Sequence, residues 1–467
     1  MHVTPDIAIV GAGSAGFSAA IRASELGASV ALIGHGTIGG TCVNIGCVPS
    51  KTLIRATEAV HAAHAASRFN GIEGNARIAD WSAVVAQKDE LVGALRQAKY
   101  RDILPSYENI TYLEGPARLT SAGIAINGDL LKPGKIIITT GASPRKPPIP
   151  GLENIEWLTS TTALELRELP ASMTVIGGGV IGCELGQMFA RAGVRVSIVC
   201  RSRLLPAGEP EIGDALATYL RAEGIDVRCG IAYERIAPAS DGAVLTIRRP
   251  SGEVEEIAAE RVLVATGRQP NTAGLGLQEA GVQMGSGGSI GVDAHMRTSR
   301  PGIYAAGDVT GRDMFVYMAA YGAKVAAENA LTGDTRSYDA TSMPEVTFTD
   351  PQVATVGLTQ AQASAAGFDV ETVRLDLRDL PRALAARDTR GFFKLVADRH
   401  TGRLLGAHII APEAGESIQT AVLAIKHGLT VTDLAETIFP YLTTVEGLKL
   451  AALGFSKEIS KLSCCAG

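Results

Sequence analysis

Residues 173–200 read MTVIGGGVIGCELGQMFARAGVRVSIVC, and they decide the fold because the opening of the chain carries the same pattern. Each copy is an apolar run, a glycine-rich turn, a helical stretch and a second apolar run. In the later copy the turn is Gly177-x-Gly179-x-x-Gly182, with Gly193 before the second run. In the earlier one, DIAIV leads into Gly11-Ala12-Gly13-Ser14-Ala15-Gly16, then FSAAIRASELG and ASVALIG. The first two glycines permit a tight turn and close backbone approach, and the helix N-terminus that follows faces a pyrophosphate. One such fingerprint is a weak signal. Two complete units imply two related nucleotide-binding domains.

The ends of the second strands carry different information. An acidic residue there commonly holds a ribose hydroxyl, and an arginine accommodates a 2′-phosphate. The later unit has Cys200 at that place, followed by Arg201 and Arg203, which reads as NADPH rather than NADH. The earlier unit has Gly34, followed by His35 and Gly36, so the usual carboxylate is missing. Two strand-turn segments, IIITTGASP (136–144, with Gly141) and VLVATGRQP (262–270, with Gly267), read as the returns that close each domain. IYAAGDV (303–309) adds a strand ending at Asp308. After about residue 340 the texture changes: EVTFTDPQVATVG, FFKLVADRHTGRLLGAHIIAP and AGESIQTAVLAIKHG suggest an antiparallel sheet with helices.

The 467 residues suit about three domains at roughly 150 residues each. A formal net charge of -5 argues against a nucleic-acid partner and against a polybasic membrane patch, leaving small molecules. MHVTPDIAIV has no basic segment, apolar segment and cleavage site in series, so a cytoplasmic protein is expected. The apolar runs break well short of the roughly 20 residues that cross a bilayer, so no membrane span is expected. Of seven cysteines, two pairs stand out: Cys42/Cys47 and Cys464/Cys465. Cys183, Cys200 and Cys229 sit singly in apolar or strand-like patterns and read as small core hydrophobes.

The central stretch is GGTCVNIGCVPSK, residues 39–51. Four residues separate its thiols, about one helical turn, so both can share a face and close a disulfide. Half of a zinc site is the competing reading, but no second Cys or His cluster has suitable spacing.

This stretch, the two glycine fingerprints and IYAAGD together resemble the pyridine nucleotide-disulfide oxidoreductases of the glutathione reductase and lipoamide dehydrogenase type, from about residue 5 to the end. The resemblance implies an α/β fold of two Rossmann-like FAD/NAD(P)-binding domains and a C-terminal α+β dimerisation domain. The divisions expected are 1–150 for FAD, 151–270 for NADPH, 271–340 for a central domain completing the FAD site, and 341–467 for the interface. It implies that Cys47 is the thiol against the flavin, forming a charge-transfer pair, and that Cys42 is the interchange thiol that meets the substrate. Lys51 matches the lysine near the flavin N5, Glu184 its ion-pair partner, and Asp308 the carboxylate on the ribityl chain. Thr41, Ala117 and Val316 fall in segments that line FAD in relatives, beside Gly11, Gly13, Gly16, Gly36 and Gly141. Gly177, Gly179, Gly182, Gly267, Arg201 and Arg203 would serve NADPH.

Relatives that reduce disulfides present His-Pro-Thr-x-x-Glu from the C-terminal domain, whose histidine shuttles protons. Here FPYLTTVEGLKLAA (439–452) keeps the glutamate as Glu446 and places Tyr441 at the histidine position. A phenol with a pKa near 10 is a poor acid/base for dithiol exchange at neutral pH. Tyr441 therefore weighs against the alternative, a thiol-disulfide reductase of the thioredoxin or glutathione reductase type that uses the tail as a shuttle. FPYLTTVEGLKLAA together with the terminal SCCAG resembles the mercuric reductases, and Tyr100 in QAKY matches a second active-site tyrosine of that group. The resemblance implies Hg(II)-thiol complexes as substrate and a homodimer whose tail reaches the partner subunit's active site. Cys42, Cys47, Cys464 and Cys465 would bind the metal. Hg(II) is a soft ion that prefers thiolates, so a tail bearing Cys464 and Cys465 can take it from small thiols and deliver it to Cys42/Cys47. Two-electron reduction by NADPH through FAD then releases Hg(0).

Overall fold

The computed structural model describes residues 4–461. Strand β1 (Ile7–Val10) is apolar and buried along its whole length, as a central strand of a parallel sheet covered on both faces must be. It pairs in parallel with β2 (Val30–Gly34), Ile7 opposite Val30, and with Lys135–Ile138, Ile7 opposite Lys135. Ile303–Ala305 and Ile110–Glu114 form the two edges of this five-stranded sheet. Helix α1 (Ser14–Glu25) buries Ala19, Ala20 and Ala23, and these small side chains let the helix Val316–Thr332 pack closely against it.

The second unit repeats the plan. Asp226–Arg228, Arg195–Val199, Ser172–Ile176 and Arg261–Val264 make a four-stranded parallel sheet in that order. Each nucleotide unit also carries a three-stranded antiparallel meander ahead of its returning strand: 117–131 in the first, 232–259 in the second. Arg268–Pro270 pairs with Ala142–Pro144 and straps the two units together. Segment 271–340 forms no sheet of its own among the described residues. It contributes an edge strand to the first sheet and the helix that covers α1.

The last part is a five-stranded antiparallel sheet with strand order 344–347, 352–357, 404–411, 392–398, 370–376. The helices Ala414–Lys426 and Glu446–Leu453 bury Ile418, Ala421, Leu448 and Ala451 against it. Among the described residues no helix is long and apolar enough to cross a membrane. Strand pairing alters one reading of the cysteines: Cys183 is buried singly, whereas Cys200 and Cys229 lie side by side.

Candidate active site

Cys42 lies on the short helix α2 (Gly40–Ile45) and Cys47 opens α3 (Cys47–His64). The two thiols do not share one uninterrupted helical turn, because the chain breaks at Gly46. A Cβ at Gly46 would come within 2.9 Å of the Thr41 carbonyl oxygen, so glycine suits that break. The thiols, free in this structure, still meet, and Cys42 donates a hydrogen bond to the Cys47 sulfur. That bond lowers the Cys47 pKa to about 7, against burial and helped by the Lys51 ammonium. The same bond and burial push Cys42 up. The pair thus divides into a thiolate at Cys47 and a proton carrier at Cys42.

Lys51 stands one turn along α3, with its Nζ 2.7 Å from Glu184 Oε2. Glu184 is polar on a buried helix face, and its second oxygen accepts from the Phe348 backbone N–H at 2.8 Å. The Phe348 ring centroid lies 4.9 Å from Lys51 Nζ, within cation–π range. Three parts of the chain therefore converge on one ammonium: α3, the helix Val180–Arg191 and the loop after strand Pro344–Thr347.

Tyr100 sits in a π-turn, 97–101, that extends the helix Trp81–Arg96. Its ring meets Phe17 edge-on at 4.9 Å, and its hydroxyl lies 3.4 Å from Ser14 Oγ. Burial raises its pKa, and negative charge on Cys42 and Cys47 acts in the same direction, so the phenol stays protonated. Tyr100 does not line the cavity that holds the two cysteines, whereas Tyr317, which no sequence motif marked, does, and its pKa is raised by burial, by Glu345 and by Cys47.

A cavity of about 1270 Å³ runs from the turn Gly11–Ser14, past Gly36, to Thr41, Cys42, Cys47, Lys51 and Glu184. Ala117, Gly141, Asp308 and Val316 line it as well. Gly16 does not; a Cβ there would strike the Gly11 carbonyl, so its place is in the close packing of α1 on the turn. Asp308, whose pKa burial raises, has Arg268 Nε at 3.5 Å. Gly34 has a structural cause: a side chain there would meet the Tyr112 hydroxyl and the Ala12 methyl group. Tyr112, not a carboxylate, fills that corner of the cavity.

The second glycine turn, with Gly177, Gly179, Gly182 and Gly267, is apart from this cavity. The helix it opens connects the two places, since Val180, Ile181, Glu184 and Leu185 form a cavity wall. Arg201 is exposed at the strand end, whereas Arg203 turns into its own loop and donates to the carbonyls of Pro206 and Gly208 at 3.2 and 3.3 Å. Tyr441 and Glu446 do not line the cavity of their own chain. Tyr441 is 49% exposed, in a run with Ile438 at 93% and Leu442 at 42%. Glu446 begins the helix Glu446–Leu453 and is buried, which raises its pKa. Cys464 and Cys465 lie outside the described residues.

Residues 5–325 match the family model of the pyridine nucleotide-disulphide oxidoreductases, and residues 343–452 match the dimerisation domain of that family. The chain is 46% identical over 475 residues to a mercuric reductase of Streptomyces lividans, covering 100% of this chain and 99% of that protein. It is 47% identical over 466 residues to a mercuric reductase of Lysinibacillus sphaericus, covering 99% of this chain and 84% of that protein. Among solved structures, the Cu(II) complex of the HOCl-induced flavoprotein disulfide reductase RclA from Escherichia coli aligns with a TM-score of 0.85 at 31% identity, over 97% of this chain and 100% of that one. The chain therefore belongs to the pyridine nucleotide-disulphide oxidoreductase family.

Proposed function

We propose that this chain is a cytoplasmic, homodimeric mercury(II) reductase, oxidising NADPH and turning thiol-bound Hg(II) into Hg(0). Identity of 46% to a mercuric reductase along essentially the whole of both chains carries the reading. The Cys42–Cys47 dithiol at one end of the cavity gives it a chemical basis. The overall change balances as NADPH and Hg(II) giving NADP⁺, a proton and Hg(0).

The cavity fits FAD. The backbone cradle at Gly11–Ser14 would hold the pyrophosphate, and Asp308 offers a half-buried carboxylate to a hydroxylated chain. Bound there, FAD would supply the two-electron relay between nicotinamide and the cysteines. Cys42, the interchange thiol, is proposed to meet the arriving metal first and to release its proton as the first metal–sulfur bond forms. Cys47, already the more acidic thiol, supplies the second thiolate and completes a two-thiolate site. Tyr317 lines the pocket with a protonated phenol, and Tyr100, outside the cavity lining, packs against Phe17 beside Ser14 with its phenol likewise protonated. Tyr441 stands on an exposed run of the dimerisation domain, a place suited to a second subunit's pocket.

Two expected results arise here. A Cys464→Ala/Cys465→Ala double variant should lose most activity toward Hg(II) held by bulky dithiols and least toward Hg(II) held by small monothiols, as read from initial rates. Arg201→Ala should raise KM for NADPH about tenfold, the worth of about one charge-assisted hydrogen bond, and leave KM for NADH nearly unchanged. Equal effects on both coenzymes would remove Arg201 from phosphate recognition.

The reading itself is tested by offering the protein Hg(II) in excess thiol and, separately, glutathione disulfide, lipoamide and oxidised thioredoxin. NADPH oxidation with Hg(II) alone is the expected result. Oxidation driven by a disulfide and indifferent to Hg(II) would make the chain a thiol-disulfide reductase.

A further inference from the structure

We propose that Cys200 and Cys229 are a second redox pair, closed by hydrogen peroxide into a reversible disulfide beneath the NADPH-binding loop. The strands Arg195–Val199 and Asp226–Arg228 run parallel, with Val199 opposite Arg228, so the next residues on each are Cys200 and Cys229. Their sulfurs are 3.3 Å apart. Neighbouring strands lie about 4.8 Å apart, inside the roughly 4.4–6.8 Å between Cα atoms that a disulfide spans. Both strand ends are pinned, with Cys200 N–H donating to the Arg228 carbonyl at 2.9 Å and Gly230 N–H to the Ser202 carbonyl at 2.7 Å.

The two thiols differ as an attacking and a resolving cysteine differ. Cys229 is partly exposed and Cys200 is buried. The hydrogen bond from Cys200 lowers the Cys229 pKa to about 7, with Arg221 acting the same way. Cys200 is pushed up by that bond and by burial. A low-pKa, reachable thiol beside a resolving one is the arrangement that peroxide oxidises reversibly.

The steps balance. The Cys229 thiolate attacks one peroxide oxygen and the O–O bond breaks; with one proton taken up, a sulfenic acid and water form. The Cys200 thiol then attacks the Cys229 sulfur, the S–O bond breaks and a second water leaves. Two thiols lose two electrons and the peroxide accepts them. Excess small thiol reverses the change by exchange.

The pair underlies the second glycine turn. A Cβ at Gly178 would come within 3.0 Å of Cys200 Sγ, and Leu205 N–H donates to the Gly178 carbonyl at 2.8 Å. Closing the disulfide draws the Cys200 sulfur toward Cys229 and shifts the backbone that leads into Arg201. NADPH affinity should therefore fall on oxidation. This effect rests on the NADPH reading above; formation of the bond does not.

The test uses the flavin-loaded protein, reduced, freed of reductant and treated with hydrogen peroxide. Trypsin digestion without reductant should yield residues 196–201 and 229–235 joined, and dithiothreitol should separate them. The Kd for NADPH should rise at least about threefold on oxidation. Cys229→Ser should bind NADPH normally before treatment and show neither the linked peptides nor the shift. Unlinked peptides in the wild type, with Cys229 carried on to sulfinic acid, would overturn the proposal. Linked peptides with unchanged affinity would overturn its effect on coenzyme. If the untreated protein binds NADH but not NADPH, the coenzyme reading fails and the disulfide stands.

Discussion

Cys42→Ala should lower mercury-dependent NADPH oxidation by at least about a thousandfold, the scale on which removal of an essential nucleophile acts. The proposed acceptor site needs two thiolates, and the variant leaves only Cys47. It also removes the hydrogen bond that is the largest cause of the low Cys47 pKa, so the remaining thiol becomes harder to ionise. The fold has little reason to suffer. Cys42 is partly exposed on a short helix, where alanine is a good helix former, and the glycine turn that shapes the cavity is untouched. Retained yellow colour and an unchanged Tm alongside lost turnover would separate chemistry from folding. Turnover near the wild-type rate would remove Cys42 from the reaction.

Lys51→Met should reduce turnover by about a hundredfold, the lower end of what deleting one preorganised positive donor costs. Lys51 is the charge beside the Cys47 sulfur, and its loss leaves Glu184 buried with, among the described residues, the Phe348 N–H to satisfy it. The sign with pH follows from these partners. In the wild type the reduced pair gains its thiolate as pH rises through about 7 and loses it as pH falls below. Without Lys51 the midpoint moves up, so the variant should regain part of its rate at alkaline pH. The alkylation rate of the reduced Cys42/Cys47 peptide as a function of pH reads this directly. A midpoint that stays near 7 would show that the Cys42 hydrogen bond alone holds the thiolate.

What was legible in the sequence has a physical explanation. Gly11 and Gly177 adopt φ of 120° and 125°, which few other residues tolerate, so the two turns announce themselves. Cys42 and Cys47 are close in sequence, so their meeting was legible from spacing, although the break at Gly46 rather than one continuous helical turn brings them together. Phe348, Tyr112 and Tyr317 were not legible, because each reaches the cavity through tertiary packing that no local pattern records. Cys200 and Cys229 are 29 residues apart and meet only because two strands pair in one register. Gly34 looked like a missing carboxylate; the structure shows the space already taken by Tyr112. Arg203 looked equal to Arg201 in sequence, yet its guanidinium is bound within its own loop.

The most direct measurement of the central claim is the ratio of Hg(0) vapour released to NADPH consumed, with the flavin-loaded protein and Hg(II) in excess thiol. One Hg(0) trapped per NADPH oxidised is the result the proposed mercury(II) reductase predicts. NADPH consumed with no Hg(0) in the trap would contradict it.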